Sequence, residues 1–140
     1  MGRIIKPGSA GKDRISLEKG IVVAIRELAK KTSIDETTYD ILAFIFLSLK
    51  AIGDTIDQSV AAWEKRGYWV KADRYRMEWN WTSILSTELK KALLSNDWDK
   101  VANIIAQISQ KLGKVNISTK NRLGSPWIGS YQLIRPDKSN

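Results

Sequence analysis

The chain has 140 residues, close to the commonest domain size, and carries a formal net charge of +8 with a pI near 9.8. Such a length buries one core without disulfides or metals, and the positive balance attracts polyanions such as RNA, DNA or anionic lipid, less so as salt rises. Cysteine and histidine are both absent, which removes disulfides, thiol nucleophiles, thiolate metal sites, and the commonest general base and metal ligand.

Residues 1–14 hold Pro7, three glycines, four basic side chains and one acid. That composition offers little to bury and predicts a flexible, exposed basic arm. The same residues lack a long apolar run after their first basic groups, so no secretory signal is expected and the predicted location is cytoplasmic. From Ser16 the pattern turns helical. Leu17, Ile21, Ala24, Ile25 and Leu28 recur at three- and four-residue steps until the basic end at Lys30 and Lys31.

Ser33 followed by Glu36 fits a capping box and predicts a second helix from near Ile34. Its seam is Leu42, Ile45, Leu49, Ile52, Ile56, Val60 and Trp63, with Lys65-Arg66-Gly67 as the stop. Phe44, Leu47 and Ala51 lie opposite that seam, so the first half is apolar on nearly every side and predicts a central position. The apolar stretch 41–49 is bracketed by Asp40 and Lys50 and is far shorter than the roughly 20 residues that span a bilayer. No membrane association is expected. In the second half Asp54, Asp57 and Glu64 share one exposed acidic stripe.

A third helix is predicted over about 68–94. Winding it at about 100° per residue places Val70, Met77, Trp81, Ile84, Leu85 and Ala92 on one seam, expected to face the core. Tyr68, Ala72, Tyr75 and Trp79 gather on another side, flanked by Lys71 and Arg76. A core needs one stripe, so this second one is expected to meet another helix, the carboxyl-terminal segment, a second copy or a ligand. Trp63, Trp69 and Trp81 are read as packing residues.

Ser95 or Asn96 is expected to cap a fourth helix that buries Val101, Ile104, Ile105, Ile108 and Leu112 and ends at Gly113. The remainder has two glycines and two prolines yet keeps Val115, Ile117, Leu123, Trp127, Ile128, Tyr131, Leu133 and Ile134. It is too apolar for a free tail. It is expected to dock on the bundle or on a neighbouring subunit, with a short strand pair as one option.

The fold class expected is therefore all-α: a bundle of about four helices over 15–113, preceded by the arm at 1–14 and followed by an irregular extension over 114–140. Charge is uneven, with +5 over 1–31, −4 over 32–60, +3 over 61–112 and +4 over 113–140. Basic ends and an acidic middle also permit pairing between copies.

The window 63–81 interleaves four tryptophans and two tyrosines with two lysines and three arginines. Flat aromatic faces beside cations can stack bases and neutralise phosphates. The expected function is a non-catalytic binding or assembly module for RNA or DNA, without sequence specificity. In it Lys65, Arg66, Lys71 and Arg76 contact phosphates, and Tyr68, Tyr75 and Trp79 stack. The alternative is a homo- or hetero-oligomeric structural protein that uses the aromatic stripe as an interface.

A third reading is a magnesium-dependent all-helical phosphohydrolase on Asp54, Asp57 and Glu64, which lacks the paired Glu-x-x-Glu run of such enzymes. No catalytic residue, metal, cofactor or small-molecule substrate is expected. Gly8-Ser-Ala-Gly-Lys-Asp13 has two residues, not four, between its glycines, and Asp13 where a phosphate loop carries Ser or Thr. Ser16-Leu-Glu-Lys19 has neither partner motif of the penicillin-binding enzymes. Asn80-Trp-Thr82 and Asn116-Ile-Ser118 have the form of glycosylation sites, without meaning in a protein that is not secreted.

Overall fold

A computed structural model describes residues 10–117 and 124–136. Four long helices and one short one account for most of them: α1 (Ala10–Ala29), α2 (Glu36–Lys65), α3 (Trp69–Leu94), α4 (Trp98–Lys111) and α5 (Ser130–Ile134). No strand is present among the described residues, so the protein is an all-α bundle and the optional strand pair does not form there. Residues 1–9 of the expected arm, and Ser118 and Leu123 of the tail, lie outside the described residues.

The bundle is organised around α2. Its buried positions Ile41, Leu42, Ala43, Ile45, Phe46, Leu49, Ile52, Ile56 and Val60 run round most of the first half and then narrow to a stripe. A helix apolar on nearly all sides must be covered on nearly all sides, and α2 packs against α1, α3 and α5. α4 lies on α3 and touches α1. Its own stripe of Val101, Ile104 and Ile108 is buried as expected.

Helix starts are set by hydrogen bonds that differ from the expected ones by a residue or two. α2 is capped by Asp35 and not by Ser33. The Asp35 carboxylate accepts from the Thr38 amide at 3.0 Å, and Thr38 Oγ1 accepts from the Asp35 amide at 3.2 Å, a reciprocal pairing that satisfies two otherwise free amides. Lys31 Nζ donates to the same carboxylate at 2.7 Å. This bond, ahead of the Thr38 amide bond, holds the Asp35 carboxyl below its ordinary range. α4 is capped by Asp97, which accepts from the Lys100 amide, while Asn96 forms the preceding turn with φ of 56°. α1 begins at Ala10, so 10–14 of the expected arm are helical.

The main departure from expectation is the rotation of α3. Leu85 and Ala92 are buried and Trp81 is partly buried, but Val70, Met77 and Ile84 are 67 %, 73 % and 52 % exposed. The buried face is Ala72, Thr82, Leu85, Ser86, Leu89, Ala92 and Leu93, about a third of a turn from the expected seam. Small side chains let two helices approach closely. A β-carbon placed on Gly53 of α2 would stand 3.9 Å from Thr82 Oγ1. The hydroxyls on this face find acceptors within their own helix: Thr82 Oγ1 donates to the Trp79 carbonyl at 2.8 Å and Ser86 Oγ to the Ser83 carbonyl at 3.0 Å. Thr55 on α2 does the same to Ile52 at 2.6 Å. Buried in this way they leave no donor unpaired.

The carboxyl-terminal extension docks on the bundle of its own chain. Trp127 and Ile134 are buried, and the Trp127 ring meets Phe44 edge-on at 6.3 Å. Asp40 secures the segment: its carboxylate accepts from the Gly129 amide at 3.1 Å and the Tyr131 amide at 2.9 Å. Tyr39 packs beside it, against Trp98 and Tyr131, and donates its hydroxyl proton to Asn96 Oδ1 at 2.6 Å. Asp40 thus ties the carboxyl-terminal segment to the first turns of α2.

The rotation of α3 has a direct energetic signature. Leu85→Ala is expected to lower the unfolding free energy by about 2–5 kcal/mol, as for other fully buried leucines. Met77→Ala, measured on the dilute protein, should stay within about 0.5 kcal/mol of the parent. Urea denaturation of the two variants checks this, and the reverse ranking would mean that α3 presents its other face.

Candidate functional site

The window 63–81 spans the end of α2, a tight turn and the first half of α3. Lys65 and Arg66 suit a helix carboxyl terminus, where cations face unpaired carbonyls. Gly67 then turns the chain with φ of +81°, a conformation that side chains with a β-carbon rarely adopt. The Gly67 and Tyr68 amides donate back to the Glu64 and Trp63 carbonyls at 3.0 and 2.9 Å. The turn is thus rigidly tied, and it projects Tyr68 and Trp69, 52 % and 60 % exposed, from one end of the bundle.

The seven site residues expected from the sequence separate into two groups. Lys65, Arg66, Tyr68 and Lys71 are all exposed around this turn. Tyr75 and Trp79 instead lie partly buried against the core, on the side of α3 that meets α1. Arg14 of α1 donates through Nη1 to the Tyr75 hydroxyl. Its guanidinium carbon stands 5.9 Å from the Tyr75 ring centroid and 5.2 Å from that of Trp79. The aromatic pair has its cation, but the cation belongs to the same chain.

This seat is partly desolvated. Burial pushes the Tyr75 phenol above its ordinary range, with the Arg14 charge opposing. The Glu18 carboxylate accepts from Arg14 Nε at 3.2 Å; burial raises its pKa as well, and the Arg14 charge again opposes. Trp63 closes the other side of Tyr75, edge-on at 4.9 Å. Trp79 stacks on Trp81 at 6.0 Å.

Arg76 is also committed within the chain. Its two terminal nitrogens donate to Glu64 and Asp73, each at 2.7 Å, and these bonds, Glu64 first, raise its pKa further. Lys71 Nζ sits 4.5 Å from the Trp63 ring centroid, an arrangement that orients the ammonium while leaving it its charge. Lys65, Arg66 and Arg74 are exposed and make no ion pair with a described carboxylate.

The free part of the window is therefore a compact tip. Residues 67–71 line an open concavity of about 610 Å³ that includes Tyr68, Trp69 and Lys71, and the exposed cations Lys65, Arg66 and Arg74 lie within a few residues along the chain. Trp69, expected to pack in the core, is instead the most exposed tryptophan. Its position one step after the turn, ahead of the first buried residue Ala72, is the signal that distinguishes it. Sequence reasoning singles out neither Arg74 nor Arg14.

A second concavity of about 380 Å³ lies between α2 and α3, where Gly53, Thr82, Ser83 and Ser86 leave space, and its wall includes Lys50, Asp54, Asp57, Arg76 and Asn80. It brings Asp54 and Asp57 together, but the Glu64 carboxylate is turned to Arg76. Among the described residues no group of three or more acidic, cysteine or histidine side chains is placed to hold a metal ion. No described helix is long and apolar enough to cross a membrane. No family model, curated protein or solved structure matches this chain.

Arg14→Ala is expected to cost roughly 1 kcal/mol of stability through the lost cation–π and hydrogen-bond contacts. It should also shift tryptophan fluorescence to longer wavelength as Trp79 meets water. Arg14→Lys should recover only part of the loss, since an ammonium cannot lie flat on the rings while bonding Glu18. Denaturation curves and emission spectra of the two variants check this.

Proposed function

We propose that the chain is a non-catalytic module that grips a single-stranded polyanion, RNA or DNA, at the turn between α2 and α3. The observation that carries this reading is the exposure of Tyr68 and Trp69 at a turn flanked in the chain by Lys65, Arg66, Lys71 and Arg74, none of which makes an ion pair with a described carboxylate. Two adjacent aromatic faces can stack successive bases, and such stacking tolerates any sequence because every base presents a π-face. Lys65, Arg66, Lys71 and Arg74 then follow the phosphates, positioning the strand without reading it. Tyr75, Trp79 and Arg76, included in the sequence-based site, act behind this surface: they hold α1 and the end of α2 in place. The basic termini strengthen attraction at long range. A cytoplasmic site of action belongs to the same reading.

Fluorescence anisotropy with a labelled homopyrimidine oligonucleotide tests it. Affinity should fall with salt at a logarithmic slope of about −3, as expected for roughly four phosphates neutralised on a single strand. Trp69→Ala should weaken binding by about 1–3 kcal/mol. The triple reversal Lys65→Glu, Arg66→Glu, Lys71→Glu should abolish it, whereas Arg76→Gln should change it little. Absence of binding at low salt, or binding indifferent to Trp69 and the tip cations, would contradict the proposal.

A further inference from the structure

A concavity of about 630 Å³ lies beside the start of α2, at the other end of that helix from the α2–α3 turn. Three stretches distant in sequence enclose it: the first residues of α2 with Glu36, Tyr39 and Asp40, the α3–α4 turn with Asn96, and the carboxyl-terminal segment with Tyr131 and Arg135. Small-molecule sites have volumes of roughly 300–1,000 Å³ and set a few polar groups among apolar or aromatic walls. The bonds that shape this one lie within the chain. Asp40 holds the Gly129 and Tyr131 amides, and the Tyr39 hydroxyl is fixed on Asn96. The Tyr39 ring packs on both Trp98 and Tyr131, at centroid distances of 5.4 and 4.9 Å. Walls tied in this way are preorganised, which lowers the cost of binding.

Four charged side chains line the concavity, and two of them are committed. Asp35 accepts from the Thr38 amide and pairs with Lys31, and Asp40 accepts its two amides. Glu36 and Arg135 differ. Both line the same concavity, yet they form no ion pair with each other or with another described residue. Their backbones are fixed: Glu36 follows the Asp35 cap of α2, and the Arg135 amide donates to the Tyr131 carbonyl at 3.0 Å. An anion alone would meet three carboxylates, and a cation alone would leave Arg135 unmatched. A ligand that carries both signs finds a partner for each.

We infer that the concavity binds a free α-amino acid with an aromatic side chain. The ligand's ammonium donates to the Glu36 carboxylate. Its carboxylate accepts from the Arg135 guanidinium, whose planar fork suits a carboxylate at two points. Its ring lies against Tyr39 and Tyr131, where aromatic contact adds to apolar burial. The site is separate from the tip and does not depend on the function proposed there.

Two-dimensional amide NMR of the full chain, titrated with L-phenylalanine, tests this inference. The Gly129 and Tyr131 amides should shift and saturate. Phenethylamine, which lacks the carboxylate, and phenylpropanoate, which lacks the ammonium, should each bind about tenfold more weakly, as expected for one lost hydrogen-bonded charge. Glu36 and Arg135 are exposed, so Glu36→Gln and Arg135→Gln should keep the parent's circular dichroism. Each should weaken phenylalanine about tenfold. Glu36→Gln should also erase the preference for phenylalanine over phenylpropanoate, and Arg135→Gln the preference over phenethylamine. No saturable shift below about 10 mM phenylalanine overturns the inference. So does a truncated analogue that binds as well as phenylalanine, affinity unchanged in both variants, or shifts confined to the tip around Trp69.

Discussion

The close approach of α2 and α3 through small side chains is the constraint from which the rest of the molecule follows. Gly53 on α2 faces Thr82 on α3, whose buried face also carries the small residues Ala72 and Ser86. Hydrophobic burial alone would favour turning Val70, Met77 and Ile84 inwards, since each buried apolar side chain is worth about 1.5–3 kcal/mol. That gain is set against the cost of forcing long side chains between helices already committed to Leu85, Leu89 and Leu93. The small-residue face buries all three leucines and brings Thr82 against Gly53, leaving an open concavity beside them. The larger side chains are left outside.

Once α3 is turned this way, the aromatic window divides. Tyr75 and Trp79 fall at the edge of the interface, where Trp63 and Arg14 cover them, and Tyr68 and Trp69 are carried out beyond the end of the bundle. Arg14 bridges Glu18 on its own helix to the rings of α3 and so fixes where α1 begins to pack. A planar cation that satisfies a carboxylate at its edge and two rings on its face suits a boundary between core and solvent. Asp40 plays a comparable part at the opposite end by accepting two amides of the carboxyl-terminal segment.

How far the fold was legible follows from the same physics. The all-round apolarity of residues 41–49 and the stripe of α4 announced their positions because Ile, Leu and Val have few other uses. The docking of Trp127 and Ile134 was likewise implied by their apolar weight. The rotation of α3 was hidden because apolar side chains occur on every side of that helix. Its true buried face also includes Thr82 and Ser86, which look polar in sequence and become acceptable inside only through bonds to their own helix. Arg14 was hidden because its local sequence is rich in glycine and charge, and its partner ring lies sixty-one positions away. Ser33 to Glu36 and Asp35 to Thr38 both have capping-box spacing, and only the hydrogen bonds distinguish them. Of the candidate site, only the exposure of Lys65, Arg66, Tyr68 and Lys71 followed from the sequence, while the division between exposed and committed aromatics required the rotation.

The most direct measurement of that rotation is a disulfide between α2 and α3 in this cysteine-free chain. With the β-carbon of residue 53 facing the Thr82 side chain, the pair Gly53→Cys and Thr82→Cys should close within one chain under mild oxidation, in keeping with the short separation that a disulfide requires. Mass spectrometry of the intact folded protein should show the loss of two hydrogens, and the control pair Gly53→Cys with Ile84→Cys should remain reduced within the chain. Closure of the control pair in place of the 53–82 pair would mean that α3 presents its other face to α2, and the tip and the Arg14 seat would both have to be redrawn.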